Sequence, residues 1–221
     1  MITSFKAGFL VLDIDEKLFS SLLLKEIATQ MNKALTSLQN DPSFKDKIGE
    51  VIEDALKSQP EWASLQNGDL RKILGIQDSS PALNSIVKAL KDSIFIKVDP
   101  VKSSSNFISG GLIVALSKKD MSDVLSADNT SYQSKGGNVP WLNWLLTAGD
   151  SIIIDNYSVK RNVFTSASRT GDTIMIHSNK GFRIPPEYSG TIDDNWITRG
   201  LSGLEDIIGN IINIEFTKRL K

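Results

Sequence analysis

The stretch from Val139 to Arg199 decides the fold, and it opens with Pro140-Trp141-Leu142-Asn143-Trp144-Leu145-Leu146. It continues through Gly149-Asp150-Ser151-Ile152-Ile153-Ile154 and Ser168-Arg169-Thr170-Gly171 to Asn195-Trp196-Ile197-Thr198-Arg199. Two tryptophans three residues apart share one face of a helix. The apolar runs that follow have the length and bounding turn residues of short β-strands. The pattern therefore predicts a short helix packed among short strands, without a recognisable catalytic motif.

Helical periodicity dominates the chain before this stretch. In the first long helix the apolar residues recur at alternating steps of three and four: Leu24, Ile27, Met31, Ala34 and Leu38. A second helix is expected to begin at Pro42, and shorter helices near Pro60, Asp69 and Pro81, with Asp69 as an N-cap. Residues 5–13 form a short apolar run that predicts a strand or an extended arm.

The middle and end of the chain add strands and a last helix. Two runs have the composition of strands, 93–101 and 107–116, and Gly110-Gly111 predicts a bulge or bend in the second. Further strands are expected at 150–159, 173–177 and 181–184, and one long helix from about Asp194 to Lys221. The fold class is α+β: an N-terminal helical layer, a small antiparallel β-sheet and a long C-terminal helix packing on the sheet. Residues 1–92 form the mainly helical part and residues 93–221 the part with the sheet, the Trp helix and the C-terminal helix, in one continuous structural unit.

Composition limits the classes of function. The 221 residues include 25 basic and 26 acidic residues without a concentrated basic face, which argues against direct nucleic-acid recognition. The absence of cysteine excludes disulfides and thiolate metal sites. No signal peptide or run of about 20 apolar residues is found, so a soluble, unprocessed protein without a membrane partner is expected.

His177 is the only histidine and the main candidate for catalysis. A Ser–His–Asp triad needs one histidine, but no Gly-x-Ser-x-Gly motif presents a nucleophile. The alternation of His177 with Ile174 and Ile176 favours a partly exposed strand residue. A small hydrolase or accessory enzyme using His177 stays as the alternative function.

Carboxylate pairs and glycine pairs offer little evidence of a metal or cofactor. Asp13 and Asp15 precede a helix, where acids cap the first turn, and no EF-hand spacing follows them. Neither Gly110-Gly111 nor Gly136-Gly137 lies in a phosphate-binding frame. We therefore expect no catalytic residue, no cofactor and no metal.

Six residues are candidates for contacts with other subunits: Arg169, Thr170, Trp141, Trp144, Arg183 and Arg199. Arg169 and Thr170 lie in the expected turn Ser168-Arg169-Thr170-Gly171, from which an arginine can form a two-point contact with a carboxylate. An ordinary hairpin turn is the equal alternative. Tryptophans three apart are usually core residues, but tryptophan and arginine are also favoured at interface hot spots.

The motifs in this region resemble those of neck or tail-completion proteins of tailed bacteriophages. The likeness rests on Pro140-Trp141-Leu142-Asn143-Trp144-Leu145-Leu146, Ser168-Arg169-Thr170-Gly171, Arg183-Ile184-Pro185-Pro186-Glu187 and Asn195-Trp196-Ile197-Thr198-Arg199. Upstream, Pro60-Glu61-Trp62-Ala63-Ser64-Leu65 and Leu70-Arg71-Lys72-Ile73-Leu74-Gly75 extend it, so that it covers about residues 60–199. Asp172-Thr173 departs from the smaller or more apolar residues of the family's pattern.

The resemblance implies a structural virion protein rather than an enzyme. It implies a homo-oligomeric ring at the phage neck that joins or completes head and tail, with the portal-side and tail proteins as neighbours. It also implies synthesis in the bacterial host cytoplasm and incorporation into the virion. Besides the hydrolase, a non-catalytic adaptor that binds an extended partner along a sheet edge stays open.

Overall fold

A computed structural model describes residues 2–7, 10–104, 107–116 and 121–220, with the backbone alone for those up to 14. The helices of the described residues are α1 (Glu16–Gln39), α2 (Pro42–Lys57), α3 (Pro60–Asn67), α4 (Asp69–Ile73), α5 (Ser80–Asp92), α6 (Ser122–Leu125), α7 (Trp141–Thr147), α8 (Trp196–Leu201) and α9 (Glu205–Arg219). The strands are β1 (Ile2–Ala7), β2 (Leu10–Asp15), β3 (Ile94–Ser103), β4 (Ile108–Leu116), β5 (Tyr132–Ser134), β6 (Gly137–Val139), β7 (Tyr157–Arg161) and β8 (Thr173–His177). The α+β fold class is thus confirmed.

The strands pair in consecutive couples, which gives two-stranded ribbons β1–β2, β3–β4, β5–β6 and β7–β8 among the described residues. The expected small sheet is therefore a set of separate ribbons. Two strand predictions need correction. Residues 150–159 become a strand only from Tyr157, and 181–184 contribute one isolated bridge between Phe182 and Ile154. The ribbon β5–β6 was missed because its strands are only three residues long.

Two compact units share the chain. Unit 1 contains residues 1–47, 95–115 and 207–221, and unit 2 contains 48–94 and 116–206. Each unit takes segments from both halves of the chain, so neither coincides with the expected parts 1–92 and 93–221. All four tryptophans belong to unit 2.

The core of unit 1 joins α1, the β3–β4 ribbon and α9. Ala28, Leu35 and Val101 are buried together, and five partly buried residues pack on them: Met31, Val98, Ile108, Leu112 and Phe216. Because Phe216 lies on α9, the expected packing of the C-terminal helix on strands is confirmed.

The core-facing side of β3 changes where this strand passes Gly110 of β4. Core-facing positions in β3 change from even numbers, as at Val98, to odd numbers at Val101, which requires one extra residue between them. Gly110 on β4 lies against this point with φ of 130°. A Cβ on Gly110 would lie 2.6 Å from the Cα of Val101, so only glycine fits without movement of the backbone.

An ion-pair network anchors α9 within unit 1. The Glu215 carboxylate accepts hydrogen bonds from Lys218, Lys47 and Arg219, and Arg219 also pairs with Asp41. The bonds from Lys218, Lys47 and Arg219, in that order of effect, hold the pKa of Glu215 well below its ordinary value, against the smaller effect of burial.

Unit 2 has a core of aliphatic residues and tryptophans. Trp141, Leu142, Leu145 and Leu146 of α7 are all buried, as expected of an apolar stripe on this helix. Trp196 is also buried and meets Trp62 edge to face, with ring centroids 6.3 Å apart.

The C-terminal helical region differs from the single long helix that periodicity predicts. Asn195 caps α8 by accepting bonds from the backbone of Ile197 and Thr198, and α8 ends at Leu201. Gly203 then adopts φ of 81°, which breaks the helix before α9 begins. At α4 the N-cap is Gly68 rather than the expected Asp69, whose carboxylate pairs with Arg161.

The described helices give no candidate for a membrane span, because none is both long and apolar enough to cross a bilayer.

Candidate functional site

The N-terminal half of α1 exposes an apolar surface. Five large apolar residues there are between 40% and 59% exposed: Leu18, Phe19, Leu22, Leu23 and Ile27. Among residues 15–27, Leu24 alone is half-buried, and the first buried residue of the helix is Ala28. We call these five residues the α1 apolar face. Apolar residues at this density on one exposed helix segment are typical of a surface that another protein covers.

Most of this face points away from the side that α1 buries in its own unit. At about 100° per residue, the exposed residues centre about 130° around the helix axis from the buried Ala28, Ala34, Leu35 and Leu38. Leu18, Phe19 and Leu22 lie on the side of the helix away from the buried residues. Leu23 and Ile27 continue in the direction of Ala34 and Leu38, so the α1 apolar face widens the core stripe toward the start of the helix.

Local interactions hold the exposed half of α1 in the helical conformation. Asp15 caps the helix by accepting hydrogen bonds from the backbone of Lys17 and Leu18 at 3.0 and 3.2 Å. Gln30 donates to Glu26 one turn away at 2.6 Å. The capping interpretation of Asp15 is confirmed, and in the described residues no group of three or more possible metal ligands is found.

Arg169 lies within unit 2, on contacts with its own chain. Its guanidinium carbon is 4.1 Å from the centre of the Tyr132 ring, and its Nε donates to the carbonyl of Gly75 at 3.1 Å. The Tyr132 hydroxyl donates to the Leu74 carbonyl at 2.8 Å. Burial raises the pKa of Tyr132, and the positive charge of Arg169 opposes that rise. Arg169, although exposed, thus ties the 168–171 turn to the end of α4 and to β5.

Asp172 and Thr173, directly after this turn, form a polar cluster with Lys72. Lys72 donates to Asp172 at 2.6 Å, and Thr173 is buried with its hydroxyl on the Asp172 carboxylate. The bond from Lys72, followed by that from Thr173, lowers the pKa of Asp172. Thr170 is half-buried, and its hydroxyl lacks a hydrogen-bond partner among the described residues.

Arg199, whose side chain is 38% exposed, pairs with a buried carboxylate. Its guanidinium bonds Glu61, whose side chain is 1% exposed, and also Asp194, which is 73% exposed. Desolvation lowers the pKa of Arg199, but the bonds to Asp194 and Glu61 outweigh it and raise the pKa above its ordinary value. The second oxygen of Glu61, Oε2, is buried without a partner among the described residues. Arg199 therefore neutralises an internal carboxylate.

The remaining candidates divide between core and surface. Trp141 is 1% exposed and donates from its indole to the carbonyl of Asn129, so it is a core residue. Trp144 is half-buried and meets Phe182 edge to face. Arg183 is exposed and makes no ion pair in the part of the chain that the structure describes. Of the six candidates, Arg183 alone presents a fully exposed side chain without such partners.

His177 is an exposed residue at the end of β8, as the alternation of the strand indicates. Its ring meets the ring of Tyr157 edge to face at 5.6 Å. Among the described residues no hydrogen bond joins this imidazole to a serine or an aspartate.

The comparisons with known proteins find no relative. No family model, no curated protein and no solved structure matches this chain. The function must therefore be argued from the surfaces themselves, and the α1 apolar face and Glu61 are the two features that the sequence reasoning missed. A helical-wheel projection of residues 16–27 would have shown the α1 apolar face. No neighbouring residue in the sequence distinguishes Glu61 from other glutamates at a helix start.

Proposed function

We propose that this chain is a structural protein that assembles with copies of itself, and that the assembly is a ring at the neck of a tailed phage. The α1 apolar face carries the first part of the proposal. Leaving Leu18, Phe19, Leu22, Leu23 and Ile27 in water is unfavourable, and full burial of one such side chain contributes about 1.5–3 kcal/mol.

A second copy is the occupant that fits this face best. The capped helix carries the face without help from its own core, so a rigid surface exists before assembly. Every copy presents it, and subunits repeated around an axis can bury it without another protein. The head–tail joining role rests on the resemblance of residues 60–199 to neck proteins of tailed phages.

Sedimentation of two matched variants tests the self-assembly. Leu22→Asp places a charge in the centre of the α1 apolar face, whereas Ser21→Asp places the same charge at an exposed position on the opposite side of the helix. We expect the wild type and Ser21→Asp to form the same oligomer, and Leu22→Asp to associate at least about a hundredfold more weakly, which corresponds to about 2.8 kcal/mol. Equal molecular masses for all three chains would contradict the proposal.

The neck assignment has its own test. Mass spectrometry of purified particles should detect the chain, and particles made with Leu22→Asp should leave heads and tails unjoined. An oligomer that is absent from particles would leave the self-assembly in place and refute the neck role.

A further inference from the structure

The outer edge of β4 is an open strand edge. Among the described residues β4 pairs with β3 alone, so the backbone groups on its other side have no strand partner. Its nine residues, Ile108–Leu116, include neither a charged residue nor a proline. Proteins normally protect exposed edges with lysine, proline or a covering segment.

The other edge of the same ribbon is protected. The Asn32 side chain binds both backbone groups of Val101. Its amide nitrogen donates to the Val101 carbonyl at 2.8 Å, and its amide oxygen accepts from the Val101 N–H at 2.7 Å. Lys97, Asp99 and Lys102 add charge along β3. The contrast between the two edges indicates that β4 is kept open for a partner strand.

The N-terminal hairpin β1–β2 is a complementary element of unit 1. Its register places Thr3 opposite Ile14, Phe5 opposite Leu12 and Ala7 opposite Leu10, so one face of the ribbon is almost wholly apolar in sequence. Apart from contacts between its own strands, its main contact is with the α1 helix that follows it. A two-stranded ribbon by itself is marginally stable, and three or more strands are needed for independent stability.

We propose that β1 of a second copy adds to the open edge of β4 and forms an intermolecular sheet of four strands. β1 is favoured over β2 because β2 carries two acidic residues, Asp13 and Asp15, and runs directly into α1, whereas β1 carries a single charged residue, Lys6. Six residues of β1 span about 20 Å, which fits along the about 30 Å of the nine-residue β4.

This inference rests on the proposed function and specifies its geometry. Because the donor strand and the acceptor edge are different surfaces, each copy gives one strand and receives another. Such head-to-tail contacts close into a ring when the rotation from one copy to the next divides a full turn. The N-terminal arm of one copy, with β1, β2 and the α1 apolar face, would then be covered by its neighbour.

The absence of cysteine makes a single labelled position possible. Ile113→Cys, at a half-exposed position of β4, is labelled with a benzophenone maleimide, and Lys102→Cys on the protected β3 is the control. Ala115→Cys is a second label site in case the first disturbs folding, which circular dichroism checks. Chains that carry the benzophenone are mixed with ¹⁵N-enriched chains that lack it. The mixture is irradiated, and the cross-linked peptides are identified by mass spectrometry.

We expect adducts from position 113 to the ¹⁵N peptide that contains residues 2–6, and at least tenfold fewer from position 102. Adducts to residues 108–116 of the other chain would show that β4 pairs with itself and overturn the inference. An oligomer without inter-chain adducts at 113 and 115 would overturn it as well, while the proposed self-assembly stands. A chain that sediments as a monomer would refute the proposed function itself, and the inference with it.

Discussion

Replacing Arg199 by alanine should destabilise unit 2 far more than its position on the surface suggests. The change leaves the Glu61 carboxylate, 1% exposed, without its cationic partner. The other carboxylate oxygen of Glu61 already lacks a hydrogen-bond partner among the described residues, so no second group there stabilises the negative charge. Breaking a buried pair by removing one member costs about 3–5 kcal/mol, since an uncompensated charge remains inside.

The same geometry ranks the neighbouring substitutions. Asp194→Asn should cost less than about 1 kcal/mol, because Asp194 is 73% exposed and water screens its pairing. Glu61→Gln removes the buried charge together with the ionic bond and should cost about 1–3 kcal/mol. Arg183→Ala, at an exposed arginine without a described ion pair, should stay within about 0.5 kcal/mol.

Tryptophan fluorescence is a selective assay for this prediction. All four tryptophans lie in unit 2, and Trp196 and Trp62 adjoin the residues of the pair in sequence. Urea titrations followed at the tryptophan emission, with the m-value compared between variants, give the change in free energy of unfolding. A loss below about 1 kcal/mol for Arg199→Ala, or one equal to that of Asp194→Asn, would refute the assignment of Arg199 as the neutralising partner of Glu61.

Three further predictions concern the other contacts. Gly110 has φ of 130°, and a Cβ there would lie 2.6 Å from the Cα of Val101, so Gly110→Ala should destabilise unit 1 by about 1–3 kcal/mol in circular-dichroism melts. A Cβ on Gly111 would have no atom within 4 Å, so the control Gly111→Ala should be near neutral. Arg169→Ala should raise the pKa of Tyr132 further, which ¹³C resonances of the tyrosine ring can follow; an unchanged pKa would exclude the observed cation–π contact. The folded pKa of Glu215 lies below its ordinary 4.5, so the stability that its ionised form contributes is present above pH 4.5 and is lost as the pH falls below that value. Glu215→Gln should therefore make the free energy of unfolding fall less steeply in acid. An unchanged pH profile would contradict this.

Local patterns in the chain were sufficient for most individual elements. The apolar steps of three and four identify α1, prolines at helix starts locate α2 and α3, and alternation identifies β8 to the residue. The positive φ of Gly110 lies where two adjacent glycines in a strand pattern predict a bulge or bend. These features depend on residues within a few positions of one another, so the sequence alone determines them.

The tertiary structure decided which of these elements have partners. Arg169 and Arg199 read as interface residues in the sequence, yet each meets groups in unit 2 that are far away along the chain, Tyr132 and Glu61. Conversely, Ile27 belongs to the apolar stripe expected to face the core and is 40% exposed. Charge pairing and burial depend on residues brought together across 36 to 138 positions, and no local pattern contains that information. The sequence by itself determines where helices and strands can form, and only packing decides which of their faces are left for another chain.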